Sequence, residues 1–165
     1  EVQRLDLMIA YRIPVFTKRA KRRLVSHPKF YYFDVGIYRV IRPMGSLDSP
    51  QEAEGIAFES LFFQEAMAIN DYLKLGYKIY YWRTSNGQEV DFVLYGKKGI
   101  LAFEIKRRAK VTAKHTRGLR SFLKDYPEAR AYLIYRGRRI LEEGNIKILP
   151  IQYTLENLAE ILKQQ

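Results

Sequence analysis

Residues 89–106 read Glu89-Val90-Asp91-Phe92-Val93-Leu94-Tyr95-Gly96-Lys97-Lys98-Gly99-Ile100-Leu101-Ala102-Phe103-Glu104-Ile105-Lys106. Two apolar runs flank a Gly-Lys-Lys-Gly turn, which predicts a pair of strands, Glu89 to Tyr95 and Ile100 to Lys106. Strict alternation turns Val90, Phe92 and Leu94 to one face of the first strand and Glu89, Asp91, Val93 and Tyr95 to the other. In the second, Leu101, Phe103 and Ile105 face one way and Ile100, Ala102, Glu104 and Lys106 the other. Both faces of that strand are apolar for most of its length, the pattern of a central strand covered on two sides.

Upstream, Ser85-Asn86-Gly87-Gln88 carries the Asn-Gly signal of a hairpin and joins a strand over Lys78 to Thr84. Before it, apolar residues recur at helical spacing from Glu52 to about Leu75, with Gly76 as the stop. Phe30-Tyr31-Tyr32-Phe33 predicts a short strand, Val35 to Ile41 a helical turn or two, and Pro43 to Pro50 a loop. Downstream come a basic amphipathic helix over 112–125, a strand over 130–136, short strands over 138–141 and 146–149, and a helix from Thr154, as its cap, to Lys163. This order implies an α/β fold with a mixed central sheet flanked by helices. The adjacent aromatics Tyr31, Tyr32, Tyr80, Tyr81 and Trp82 belong in its core rather than on a base-stacking surface.

The informative residues are charges where apolar side chains belong. Glu59 shares its helical face with Phe62, Phe63, Ala66, Ile69 and Leu73, so its carboxylate points toward the sheet. Asp91 sits mid-strand, and twelve residues separate it from Glu104-Ile105-Lys106 on the next strand. Burying unpaired charge is costly, so these groups need a partner. Any one of them has an ordinary explanation, such as a Glu59–Arg83 ion pair. Together they have a mechanism. Asp91 and Glu104 can each offer an oxygen to Mg²⁺ or Mn²⁺, and Glu59 can hold a metal water or a second ion. Lys106 can orient or deprotonate an attacking water and stabilise charge developing on phosphorus. That is equipment for metal-assisted phosphodiester hydrolysis.

The 165 residues carry a formal charge of +11, distributed unevenly. Lys18, Arg19, Lys21, Arg22 and Arg23 cluster near the start, and Arg107, Arg108, Lys110, Lys114, Arg117 and Arg120 follow the lysine of the motif. Outside residues 1–25 and 97–120 the chain is slightly acidic. With Arg83, these groups are the expected nucleic-acid contacts, gripping phosphates without reading bases. The absence of cysteine excludes disulfides, thiolate zinc sites and a cysteine nucleophile. His27 and His115 lie too far apart to form a ligand pair. No apolar run approaches the roughly 20 residues that span a bilayer.

The constellation of Glu59 in Gly55-Ile56-Ala57-Phe58-Glu59, Asp91 in Glu89-Val90-Asp91-Phe92-Val93-Leu94, and Phe103-Glu104-Ile105-Lys106 resembles the PD-(D/E)xK, or restriction-endonuclease-like, superfamily. The proline that names its motif is absent before Asp91. More closely, Lys29-Phe30-Tyr31-Tyr32-Phe33-Asp34-Val35-Gly36-Ile37-Tyr38, the Gly-Ile-Ala-Phe-Glu helix, Tyr81-Trp82-Arg83-Thr84 and Glu89-Val90-Asp91-Phe92 resemble the C-terminal domain of unknown function of a prokaryotic AAA-type ATPase family. That resemblance covers roughly residues 29–149. It implies a restriction-endonuclease-like α-β-β-β-α-β core over 29–165. Residues 1–28 would be the remnant of a preceding winged-helix-like unit and a basic linker. It further implies a cytoplasmic protein whose ATPase core precedes this domain, with DNA as partner and no membrane. No Gly-rich loop ending in Gly-Lys-Ser or Gly-Lys-Thr is present for ATP. The expected function is DNA binding and Mg²⁺-dependent (or Mn²⁺-dependent) phosphodiester hydrolysis, with Glu59, Asp91, Glu104 and Lys106 catalytic. The alternative is an inactive nuclease-fold module that serves the ATPase by binding DNA or protein.

Overall fold

Gly87 and Gly99, both with positive φ (77° and 112°), close the two reversals that build the centre of the fold. They join β4 (Lys78–Arg83), β5 (Glu89–Gly96) and β6 (Gly99–Lys106) into an antiparallel meander. The first turn is clamped by Thr84, whose N–H donates to the Gln88 carbonyl at 2.9 Å. From β6 the chain crosses through α2 (Arg117–Asp125) to the parallel strand β7 (Arg130–Tyr135). A hairpin of β8 (Leu141–Glu143) and β9 (Ile146–Pro150) then sets β9 parallel to β7, with β8 at the edge. The sheet order in this computed structural model is β4-β5-β6-β7-β9-β8. The structure describes residues 3–4, 10–18, 27–32, 34, 36, 40 and 50–164.

Two apolar layers sandwich this sheet. One face packs under α1 (Pro50–Tyr72) and α3 (Ile151–Lys163), with Phe62, Phe63 and Ala66 meeting Phe92, Leu94, Leu101 and Phe103. The other packs under α2, where Leu119 and Phe122 meet Trp82, Val93, Ala102 and Leu133. Each large side chain so buried contributes about 1.5–3 kcal/mol. The result is a mixed α/β sheet flanked by three helices. Tyr31, Tyr81 and Trp82 are core residues, as expected, whereas Tyr32 and Tyr80 are only partly buried.

A second sheet is formed by β1 (Gln3–Arg4), β2 (Ala10–Ile13) and β3 (Lys29–Tyr32), all antiparallel. Within the expected remnant, 1–28, the described residues Tyr11 and Ile13 enter the α1-side core and Phe16 the α2-side core. The Phe16 N–H donates to the Tyr81 carbonyl at 2.7 Å, and the Tyr81 N–H to the Pro14 carbonyl at 3.1 Å, so this segment lines the β4 edge. Of the expected strand, Phe33 lies outside the described residues. So do the loop over 43–49 and, Gly36 and Val40 excepted, the turn over 35–41.

Local details depart from the sequence pattern. The first helix ends at Tyr72, before Gly76, because Lys74 already adopts φ 52°. Asn70 seals that exit by exchanging hydrogen bonds with the Tyr77 backbone at 2.9 and 3.0 Å. The basic helix begins at Arg117 rather than residue 112, with turns over 113–116. Thr154 does not cap the last helix. It lies inside it, buried, and its hydroxyl donates to the Pro150 carbonyl one turn back at 2.9 Å. The largest departure is in β5. Tyr80 pairs with Val93 and Trp82 with Val90, so β5 spends one residue more than β4 over the same length. This bulge puts Val90 in the α2-side layer with Val93, while Phe92 and Leu94 face α1. The expected common face for Val90, Phe92 and Leu94 is therefore broken at Asp91.

Candidate functional site

The bulge re-aims Asp91. The β5–β6 ladder pairs Phe92 with Phe103, and just beyond it the Asp91 carboxylate takes over, its Oδ2 accepting the Ile105 N–H at 2.8 Å. Glu104 and Lys106 project from β6 toward the α2 side, on the face opposite Phe103 and Ile105. Lys106 Nζ lies 2.5 Å from Glu104 Oε1 and 4.0 Å from Asp91 Oδ2. Glu59 approaches from α1, and its Oε2 accepts the Tyr31 hydroxyl at 2.9 Å. The ordinary partner considered for Glu59, Arg83, instead lies 3.6 Å from Glu89. Asp91, Glu104 and Lys106 thus form one ion-paired group, with Glu59 electrostatically joined to it.

Crowding acids in a poorly solvated corner shifts the protonation of Glu59 and Glu104. Burial and then Asp91 push the Glu59 carboxyl up to about 8, against the pull of Lys29, the Tyr31 hydrogen bond and Lys106. Burial and Asp91 likewise hold Glu104 well above the usual carboxylate range, with Lys106 opposing. For Lys106, burial works against the charge, but Asp91 and Glu104 outweigh it and raise its pKa. It is therefore a held ammonium at neutral pH, suited to orienting a water and not to deprotonating one.

Two partners were not singled out from the sequence. Lys29, from β3, pairs with Glu89 and lies 3.5 Å from Asp91 Oδ1. Burial opposes its charge, and Asp91, Glu89 and Glu59 more than restore it. A signal for it existed: Lys29 stands two residues before buried Tyr31, hence on the same strand face as the hydroxyl that binds Glu59. The other is Glu89, which bridges Lys29 and Arg83.

Glu104 and Lys106 of this group line a cleft of about 530 Å³ between the hairpin turn at Gly87–Glu89, the end of β6 and the start of α2. Gly118 permits this junction. A Cβ there would meet the Glu89 carbonyl oxygen at 1.9 Å, so only glycine lets α2 pack this close. Among the expected nucleic-acid contacts, Arg108, Lys114 and Arg117 line the cleft. Arg107 pairs with Glu54, and Arg120 with Glu143 at 2.6 Å while also donating to the Ala113 carbonyl. Lys18 lies over the Tyr95 ring at the opposite end of β5 from Asp91. Lys110 is exposed, and Arg19, Lys21, Arg22 and Arg23 fall outside the described residues. His115 also lines the cleft, its Nδ1 accepting the Thr112 N–H at 2.9 Å. Burial, Lys106 and Arg108 lower its pKa, so it is neutral at pH 7.

A divalent ion fits these residues in part. Glu104 Oε2 is buried without a hydrogen-bond partner, an orphaned acceptor that a cation would satisfy. Asp91 and Glu104 make the two-carboxylate set that Mg²⁺ commonly takes, with waters completing its shell. Among the described residues no three His, Asp or Glu side chains group closely enough to hold a metal, so Glu59 does not complete a three-carboxylate cage.

A family model described as Domain of unknown function (DUF4143) matches residues 54–154, well over half of the chain. The chain belongs to that family. The matched span of this DUF4143 member runs from Glu54, the partner of Arg107, to Thr154, and contains Glu59, Asp91, Glu104 and Lys106. No curated protein and no solved structure matches the chain. Among the described residues no helix is long and apolar enough to cross a membrane.

Proposed function

We propose that this DUF4143 domain is a nuclease-like module of the PD-(D/E)xK type that binds DNA and hydrolyses phosphodiester bonds, working beside an AAA-type ATPase core. The observation that carries the reading is the convergence of Asp91, Glu104 and Lys106, with Glu104 and Lys106 lining a cleft that Arg108, Lys114 and Arg117 also line. The order α1-β4-β5-β6-α2-β7 agrees with the restriction-endonuclease-like core. The ATPase context rests on the sequence resemblance alone.

Arg108, Lys114 and Arg117 would hold phosphates along the cleft as point charges, which positions a strand without reading its bases. The Lys106 ammonium would orient a water toward the scissile phosphorus and offset negative charge in the transition state. Glu59, largely protonated near neutral pH, would limit the negative charge gathered around Asp91. A bound Mg²⁺ or Mn²⁺, held through Asp91 and Glu104, would supply Lewis-acid polarisation of a phosphoryl oxygen.

A second reading, a docking platform without chemistry, draws on the internal neutralisation of the acids by Lys29, Lys106 and the Ile105 amide. Incubating the protein with plasmid and branched DNA plus Mg²⁺ or Mn²⁺, beside Asp91→Ala and Lys106→Ala, separates the two. Cleavage abolished in both variants supports the first reading. DNA retention without cleavage supports the second, and cleavage that persists in both variants overturns the assignment of the site.

A further inference from the structure

Asp91 has two carboxylate oxygens, and their surroundings differ. Oδ2 is committed to the fold: it accepts the Ile105 N–H at 2.8 Å and has Lys106 at 4.0 Å. Oδ1 is the oxygen left for a ligand, and Lys29 Nζ stands 3.5 Å from it. Lys29 does not belong to the six-stranded sheet. It comes from β3 of the N-terminal sheet, and its ammonium is held by the ion pair with Glu89 and lies 5.5 Å from the centroid of the Tyr81 ring. Glu104, meanwhile, keeps a buried oxygen without a partner. Each carboxylate of the pair thus has a lysine beside it, Glu104 the Lys106 ammonium at 2.5 Å and Asp91 the Lys29 ammonium at 3.5 Å. At Asp91, however, the lysine stands on the oxygen a ligand would take, while Glu104 keeps its second oxygen without a hydrogen-bond partner.

We infer that Lys29 is the built-in counter-cation of Asp91, and that a divalent ion reaches Asp91 only by displacing the Lys29 ammonium from Oδ1. The inference rests on the reading of Asp91 and Glu104 as the ion-holding pair. Lys29 and a divalent cation repel one another and compete for the same oxygen, so each weakens the other's hold. Because Lys29 is supplied by β3, the docking of the N-terminal sheet sets how readily the pair accepts an ion. Lys29 is in this sense a residue that determines occupancy; it takes no part in bond making.

The test is calorimetric titration of the full chain with Mn²⁺, for the wild type, Lys29→Met, Lys29→Arg and Asp91→Asn. A charge at this range moves an ionic equilibrium by about ten- to a thousandfold, so Lys29→Met is expected to bind Mn²⁺ at least about tenfold more tightly than wild type. Lys29→Arg keeps the charge and should stay near wild type, while Asp91→Asn should bind more weakly. Equal affinity in wild type and Lys29→Met, with Asp91→Asn weakened, overturns the role of Lys29 and leaves the ion-holding pair standing. Absence of binding in every form overturns both. A second measurement covers the case in which Lys29→Met does not fold: Mg²⁺ added to ¹⁵N-labelled wild type should move the Lys29 Nζ resonance. Saturation by Mg²⁺ with that resonance unmoved overturns the inference.

Discussion

Replacing Glu59 by glutamine removes one titrating proton while leaving an amide oxygen to accept the Tyr31 hydroxyl. In the wild type the folded carboxyl titrates near 8 against 4.5 for the free group. The folded state therefore holds the Glu59 proton more tightly than the unfolded chain does. Its stabilising contribution is complete below about pH 4.5 and is lost as pH rises through 8. The loss accrues at about 1.4 kcal/mol per pH unit and totals on the order of 5 kcal/mol by pH 9. Lys29 and Lys106, both raised by the surrounding acids, stay charged from pH 5 to 9, and Glu104 is present in both proteins, so the difference between wild type and Glu59→Gln reports chiefly on Glu59. Urea denaturation at pH 5, 6, 7, 8 and 9, with a chelator present, measures it. Near pH 5 the two midpoints should lie close together, and by pH 9 Glu59→Gln should be the more stable by several kcal/mol. Parallel profiles across this range would refute the burial and Asp91 crowding assigned to Glu59.

Lys106→Met strips Glu104 and Asp91 of their nearest shared counter-charge and should cost about 3–5 kcal/mol at pH 8. The cost should shrink toward pH 5 as the Glu104 carboxyl, raised by burial and Asp91, takes up its proton, which urea midpoints would follow. Gly118→Ala forces a Cβ against the Glu89 carbonyl oxygen and should destabilise by more than about 2 kcal/mol. By contrast Gly55→Ala, in helix α1 with open space at its Cβ, should stabilise by about 0.5–1 kcal/mol; thermal melts of the two proteins check both signs. If the cleft carries the nucleic acid, Arg117→Ala should lower the slope of log affinity against log salt by about 1, in anisotropy titrations of a labelled duplex from about 50 to 200 mM salt. Lys18→Ala, on the Tyr95 ring, should leave that slope unchanged, and the reverse pattern would move the interface away from Asp91.

Periodicity made much of the architecture legible. The Asn-Gly and Gly-Lys-Lys-Gly turns, the two-sided apolar strand and the long helix before them all appear where the pattern puts them, because each is decided by neighbours in the chain. Helix ends were less legible. Thr154 has the composition of a cap but lies inside its helix, and Gly76 yields to Lys74 as the first left-handed residue. Both outcomes depend on packing and on the Asn70 clamp. At the site, Asp91, Glu104 and Lys106 stood out as charges at apolar positions. Lys29 did not, because at a strand start a lysine is unremarkable until the opposing acids are known.

By itself the sequence determined the α/β class, the strand that carries Glu104 and Lys106 on one face, and the two segments that hold the excess charge. Those properties follow from composition and from periods of two and 3.6 residues, which are local. Only the tertiary structure decided that a bulge in β5 breaks the alternation at Asp91 and lets its carboxylate take the Ile105 amide. It also decided that Lys29 reaches Asp91 from a separate sheet, and that Arg107 and Arg120 are spent on ion pairs while Arg108, Lys114 and Arg117 line the cleft. A strand's register against its neighbour, and the partner that a buried charge finds, depend on residues distant in sequence and so leave no period to read.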